Sequence, residues 1–201
     1  LRAIENLSQY FSSVIYENNA INQQSINELA LALTKQESSI TKEISLLKSS
    51  SGDFSGIIDE VIKGVVSIGT DRSMGSGFLI TQDGYVVTNQ HVISGAKKIA
   101  ILTYDKQVVS AKLIGYDINR DIALLKAEGA YNALELGNSD EVQPGRKVIA
   151  IGNPLGLSFT VTQGIVSAVD REGPNGLEEY IQTDVSLNPG NSGGPLIDIN
   201  G

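Results

Sequence analysis

The chain has 201 residues, a formal net charge of −8, 41% hydrophobic and 19% charged residues, and no cysteine. That length allows one large domain or two small ones of ordinary soluble composition. The acidic balance argues against a nucleic-acid surface and against direct binding to an anionic membrane, and the missing cysteines exclude disulfides, thiol catalysis and thiolate metal sites.

A single histidine cannot build a histidine-rich metal site. No apolar run approaches the ~18 residues of a membrane-spanning helix. The chain starts at Leu1 with no basic-then-apolar signal peptide. A leader or anchor preceding Leu1 is compatible with that start.

Residues 1–50 form a helical N-terminal region and a possible oligomerisation element. They hold no proline, and the first glycine is Gly52. Apolar residues fall at Ile4, Leu7, Phe11, Val14 and Ile21, mostly three and four apart. After a phase slip the pattern resumes at Ile26, Leu29, Leu33, Ile40 and Leu47, with 26, 33, 40 and 47 seven apart. That stripe fits a coiled coil or helical hairpin, diluted by Asn18, Gln36 and Glu43. It fits equally an amphipathic helix lying on its own domain. Residues 51–63 read as a linker and lead-in helix, opening in the run Ser49-Ser50-Ser51-Gly52-Asp53.

Beyond residue 63 the texture is β. Short apolar runs at 65–68, 77–80, 85–88, 99–102, 111–115 and 122–125 predict about six strands, enough for a small barrel. Asp83-Gly84 reads as a two-residue hairpin turn. A second set follows at 148–151, 160–169, 180–183 and 196–199, with Asn138-Ser139-Asp140 and Gln143-Pro144-Gly145 at the junction. No helical segments separate these runs, which favours barrels or sandwiches over βαβ units. The expected boundaries are a first barrel over about 64–137 and a partial second barrel over about 145–201. Asn200-Gly201 is hairpin chemistry with no return strand after it, so the second barrel is expected to be incomplete and the chain truncated.

Three segments carry the chemistry. Thr88-Asn89-Gln90-His91-Val92-Ile93 follows an apolar run. In Asn119-Arg120-Asp121-Ile122-Ala123-Leu124-Leu125, an acid stands at the mouth of an apolar strand, where it needs hydrogen bonds. Asn188-Pro189-Gly190-Asn191-Ser192-Gly193-Gly194-Pro195 is a tight loop built to expose a hydroxyl. The order His, Asp, Ser is that of one of the convergent catalytic triads. In such a triad His91 is the general base, Asp121 fixes its tautomer, and Ser192 is the nucleophile. The backbone N–H groups of Gly190 and Ser192 converge as an oxyanion hole, each such donor being worth ~3 kcal/mol in the transition state. Each residue alone has a plainer reading: a hydrogen-bonded histidine, a turn-forming aspartate, a flexible loop serine. Their order and β context together favour the triad.

The chain from about Gly64 to Gly201 resembles the protease domain of the HtrA (Deg) family, chymotrypsin-fold serine endopeptidases. The matching motifs run from Gly75-Ser76-Gly77-Phe78-Leu79-Ile80 through Gly84-Tyr85-Val86-Val87-Thr88-Asn89-Gln90-His91-Val92-Ile93 and Asp121-Ile122-Ala123-Leu124-Leu125-Lys126. They continue in Leu136-Gly137-Asn138-Ser139-Asp140, Ala150-Ile151-Gly152-Asn153-Pro154-Leu155-Gly156, Val161-Thr162-Gln163-Gly164-Ile165-Val166-Ser167 and Ile181-Gln182-Thr183-Asp184. The resemblance implies a mainly β, chymotrypsin-like double barrel with the active site between the barrels. It implies the triad His91, Asp121 and Ser192 with the oxyanion donors Gly190 and Ser192, and no metal or cofactor.

The resemblance further implies unfolded or damaged polypeptides as substrates, a homo-oligomer (a trimer or a multiple of it) and an extracytoplasmic location. The family's strands after the nucleophile loop are absent from the sequence, as is a PDZ domain. Little or no peptidase activity is therefore expected of these 201 residues alone. Two rival readings are a non-catalytic chaperone or binding module on a protease fold, and an oligomerisation module built on the N-terminal helices.

Overall fold

The computed structural model describes residues 31, 34–36, 54–153 and 159–201. The chain divides into two compact units, Leu1–Leu47 and Lys48–Gly201. In the first, residues 31 and 34–36 are helical and exposed. The seven-residue apolar series, the 49–53 linker and the Pro154-Leu155-Gly156 motif lie outside the described residues.

Described residues of the second unit open with a short helix, α1 (Ser55–Val61), continued by a 3-10 turn at Ile62–Gly64. Its apolar residues are spaced to share one side, and Phe54 and Val61 are buried there, with Ile57, Ile58 and Ile62 packed alongside.

Six strands then follow: β1 (Val65–Thr70), β2 (Met74–Leu79), β3 (Tyr85–Asn89), β4 (Ile99–Leu102), β5 (Val108–Asp117) and β6 (Ile122–Ala127). All their pairings are antiparallel, and they close a barrel in the order β1-β2-β3-β6-β5-β4. Period-two alternation divides the work of β1. Val66 and Ile68 join Leu79, Val86, Ile101 and Leu125 in the barrel interior. Val65, on the opposite face, joins a second cluster with Ile149, Ile151, Ile197 and Ile199.

The second β element is a four-stranded antiparallel sheet of β7 (Lys147–Gly152), β8 (Thr160–Glu172), β9 (Glu178–Thr183) and β10 (Leu196–Asp198). Its order is β10-β7-β8-β9. Alternation recurs in β7: Ile149 and Ile151 face the cluster shared with α1 and β1, while Val148 and Ala150 pack with Val166 and Val185. Unlike the barrel, this sheet does not close on itself.

Two local readings need correction. Asp83-Gly84 is not a two-residue hairpin. Ile80 N–H donates to Tyr85 O, and the turn between them is closed by Gly84 N–H on Thr81 O, with Gly84 at φ +100°. Thr81 Oγ1 also accepts from Tyr85 N–H, so the side chain of Thr81 helps set the longer loop. The strands are also not wholly free of helix, because a single helical turn, α2 (Gln90–Ile93), follows β3. Its Val92 and Ile93 are buried in the barrel core, and tertiary packing carries this turn.

Candidate active site

His91 lies on α2, which the buried Val92 and Ile93 anchor to the barrel. Its Nδ1 is 2.6 Å from Asp121 Oδ2, and its backbone N–H donates to Asp121 Oδ1 at 2.8 Å. One carboxylate therefore grips both the ring and the main chain of His91. The carboxylate partner assigns the proton to Nδ1 and leaves the Nε2 lone pair free to accept another. Both side chains are partly exposed, 57% for His91 and 40% for Asp121, so the pair is open to a ligand.

Asp121 stands immediately before β6 with φ +53°, a left-handed conformation uncommon for a residue bearing a Cβ. Hydrogen bonds at both ends hold it there. Its N–H donates to Ile118 O, and its carbonyl accepts from Gln90 N–H and from Asn89 Nδ2 at 2.8 Å. The conformation aims the carboxylate back at α2. Asn89 was not singled out by sequence reasoning, since an amide at a strand end gives no signal until β3 and β6 are paired.

The Ser192 loop consists of two successive turns. Asn191 N–H donates to Asn188 O, and Gly194 N–H donates to Asn191 O. The third residue of each turn is a glycine at positive φ, Gly190 at +103° and Gly193 at +83°, as type II turns require. Among the described residues, the N–H groups of Gly190 and Ser192 donate to no protein acceptor, leaving them available to an incoming anion.

The loop is seated against the residues that flank His91. A Cβ on Gly193 would stand 2.9 Å from Asn89 N and 2.3 Å from both Ser76 O and Thr88 Oγ1. A Cβ on Gly75 would meet the methyls of Val92 at 2.8 Å and Ser192 O at 3.2 Å. Glycine at 75 thus allows α2 and the serine loop to approach one another. The fold brings His91 and Asp121 into contact and carries the Ser192 backbone to their neighbours. No hydrogen bond joins Ser192 Oγ to His91 Nε2 among the described residues. Such bonds are often long in unliganded enzymes and tighten in the complex.

Asn191 is buried between turn and sheet, its side chain lying on Gly152 of β7. Among the described residues, neither of its side-chain amide atoms has a protein partner, and neither does Oδ1 of the buried Asn153. Among the described residues, no group of three or more His, Cys, Asp or Glu side chains could hold a metal ion. None of the described helices is long and apolar enough to cross a membrane.

Residues 75–201 match the trypsin-like peptidase domain family. The chain belongs to that family. It is 51% identical over 132 residues to a probable periplasmic serine endoprotease, DegP-like, of Pseudomonas fluorescens, covering 65% of this chain and 28% of that protein. A protein of the same description from Chlamydia trachomatis is 48% identical over 134 residues, covering 65% and 27%. The chain therefore spans less than a third of the length of these curated relatives.

Among solved structures, the HtrA-type protease AlgW with a tripeptide superposes at a TM-score of 0.70 with 38% identity, covering 73% of this chain and 51% of that one. The serine endoprotease from Yersinia pestis gives 0.67 with 34% identity, covering 73% and 54%. The closed barrel and second sheet match a chymotrypsin-like fold at these values.

Proposed function

We propose that this chain is the peptidase domain of an HtrA-type serine endoprotease, with His91, Asp121 and Ser192 as its triad. The observation that carries the reading is the two-point grip of Asp121 on His91 beside a serine loop whose Gly190 and Ser192 N–H groups are unpaired among the described residues. In this reading Ser192 Oγ attacks the scissile carbonyl carbon as its proton passes to His91 Nε2. The C–O bond forms, and the carbonyl electron pair becomes an oxyanion held by the two N–H groups. Collapse breaks the C–N bond, the leaving amine takes the proton from His91, and an acyl-enzyme remains. Water, deprotonated by the same imidazole, then attacks the acyl carbon, the ester C–O bond to Ser192 breaks, and His91 returns the proton to Oγ as the acid leaves. Asp121 keeps the ring in the required tautomer and stabilises the imidazolium.

That the relatives are named as periplasmic proteins supports an extracytoplasmic location. Extended or unfolded polypeptides are the substrates in this reading, bound by strand addition at the cleft. Assembly into a homo-oligomer, a trimer or a multiple of it, through residues 1–50 is part of it, tested by measuring solution mass with and without them. An unchanged mass removes those residues from the assembly.

The direct test is labelling by a fluorophosphonate, which reacts with an activated serine. Mass spectrometry should place the label on Ser192, and His91→Ala should reduce labelling by at least about a hundredfold. Label on another serine, or equal labelling of the His91 variant, would remove the triad assignment. Casein cleavage compared with that by a longer chain reports separately on how much activity residues 1–201 retain.

A further inference from the structure

Ser76, in the middle of β2, has no solvent exposure, yet four hydrogen bonds converge on it. Its Oγ donates to Gly190 O at 2.6 Å and accepts from Asn153 N–H at 2.9 Å. Its N–H donates to Ser192 O at 2.8 Å, and its carbonyl accepts from Thr88 Oγ1 at 2.6 Å. A single barrel residue thus holds two carbonyls of the serine loop and one amide at the end of β7. The two loop carbonyls bracket the N–H of Ser192, and the first follows directly on the N–H of Gly190.

Gly190 and Gly193 both sit at positive φ, and glycine resists reorientation of neighbouring peptides less than any other residue. The loop's own turns give each of the 190–191 and 191–192 peptides one hydrogen bond, and among the described residues they offer no donor to the carbonyls of Gly190 and Ser192. The barrel wall supplies the missing constraint, and a buried hydroxyl with one donor and one acceptor engaged is costly to move.

We propose that Ser76 is a positioning residue for the oxyanion hole, its hydroxyl holding the Gly190 carbonyl and its main-chain N–H the Ser192 carbonyl, so that the Gly190 and Ser192 N–H groups are directed from the barrel side. It touches no reacting atom and acts through the loop. The proposal rests on the triad reading above. Ser67 provides the comparison. Its hydroxyl, also buried, donates to Asn153 O at 3.0 Å and so ties β1 to the same strand end without touching the serine loop.

The test uses the full chain, fluorophosphonate kinetics and amide exchange read by NMR. Ser76→Ala should lower the maximal labelling rate by about 10- to 100-fold, with the probe's half-saturation within threefold. Exchange at Asn191 and Gly194, whose N–H groups close the two turns, should rise at least about tenfold. Ser76→Cys, a near-isostere with a weaker donor, should move both readouts the same way by less, and serves if the alanine variant does not fold. Ser67→Ala should lower the melting temperature and leave both readouts within threefold. Loop amides and labelling that stay at wild-type values in the Ser76 variants would overturn the proposal, whatever their melting temperatures. Loop amides that loosen in a chain whose Ser192 takes no label would keep the anchor and overturn the triad instead.

Discussion

At Asp121, left-handed φ, a two-point grip on His91 and two bonds to its carbonyl all serve one end, the aim of a carboxylate. Asp121→Asn keeps the shape but exchanges an acceptor for a donor, so the imidazole is held in the wrong tautomer. On the proposed triad reading, the labelling rate of Ser192 should then fall by about 10⁴, with far-UV circular dichroism unchanged. A fall of less than tenfold would assign another partner to the imidazole.

Gly193 is equally constrained. A Cβ there meets Ser76 O and Thr88 Oγ1 at 2.3 Å in a backbone conformation of φ +83°. Gly193→Ala should destabilise the folded chain by about 2 kcal/mol or more in urea titrations, strain and contact acting together. A neutral substitution would mean that the loop has a second, equally stable seat.

The β5–β6 turn and β9 are joined by a charge cluster next to Asp121. Arg120 makes two bonds of 2.7 Å to Glu179 and one of 3.0 Å to Asp117, and Asn175 Nδ2 donates to Asn119 O. The Arg120 hydrogen bond holds the Glu179 carboxyl below its ordinary value of 4.5. The Arg120 backbone N–H, then its side chain, do the same for Asp117. A depressed folded-state value means that stabilisation is present above the unfolded value and is lost as pH falls through the folded one. Glu179→Gln should therefore be less stable than the parent at neutral pH. The difference should shrink as pH drops below about 4.5 and also in 1 M salt, because the partners are half exposed. Urea midpoints across pH 3 to 7 read this out, and a gap that widens with acid would contradict it. In the barrel, Leu125 is fully buried, and Leu125→Ala should cost about 2–5 kcal/mol.

From 54 to 201, the barrel and the sheet share one apolar cluster. Val65 of β1 meets Phe54 and Val61 at α1, Ile149 and Ile151 of β7, and Ile197 and Ile199 at β10. Ser67 and Ser76 add hydrogen bonds from the barrel to Asn153. Lobes joined in this way should open together. The most protected amides of β3 and of β7 should exchange with the same opening free energy. A β7 that opens several kcal/mol below β3 would make the sheet a separate cooperative unit.

Much of this was written in local pattern. Short apolar runs, with turn residues between them, predicted the strands of the barrel and the sheet because a strand buried against a core is a short apolar stretch bounded by chain reversals. The junction at Asn138 was legible for the same local reason: its side chain accepts from Asp140 N–H and starts a 3-10 turn. The sequence motifs also named His91, Asp121 and Ser192. Other features depend on pairing partners distant in the chain. The helical turn α2 exists because Val92 and Ile93 find the barrel core, and the Asp83-Gly84 loop was lengthened by the pairing of Ile80 with Tyr85. Nothing near Ser76 in sequence reveals that Gly190 and Asn153, 114 and 77 positions away, share its hydroxyl. Sequence determined what could be buried and which chemistry was available, since periodicity and turn propensity act between near neighbours. Tertiary structure alone decided which groups meet, because hydrogen-bond geometry is satisfied or lost over tenths of an ångström that only closure of the barrel sets.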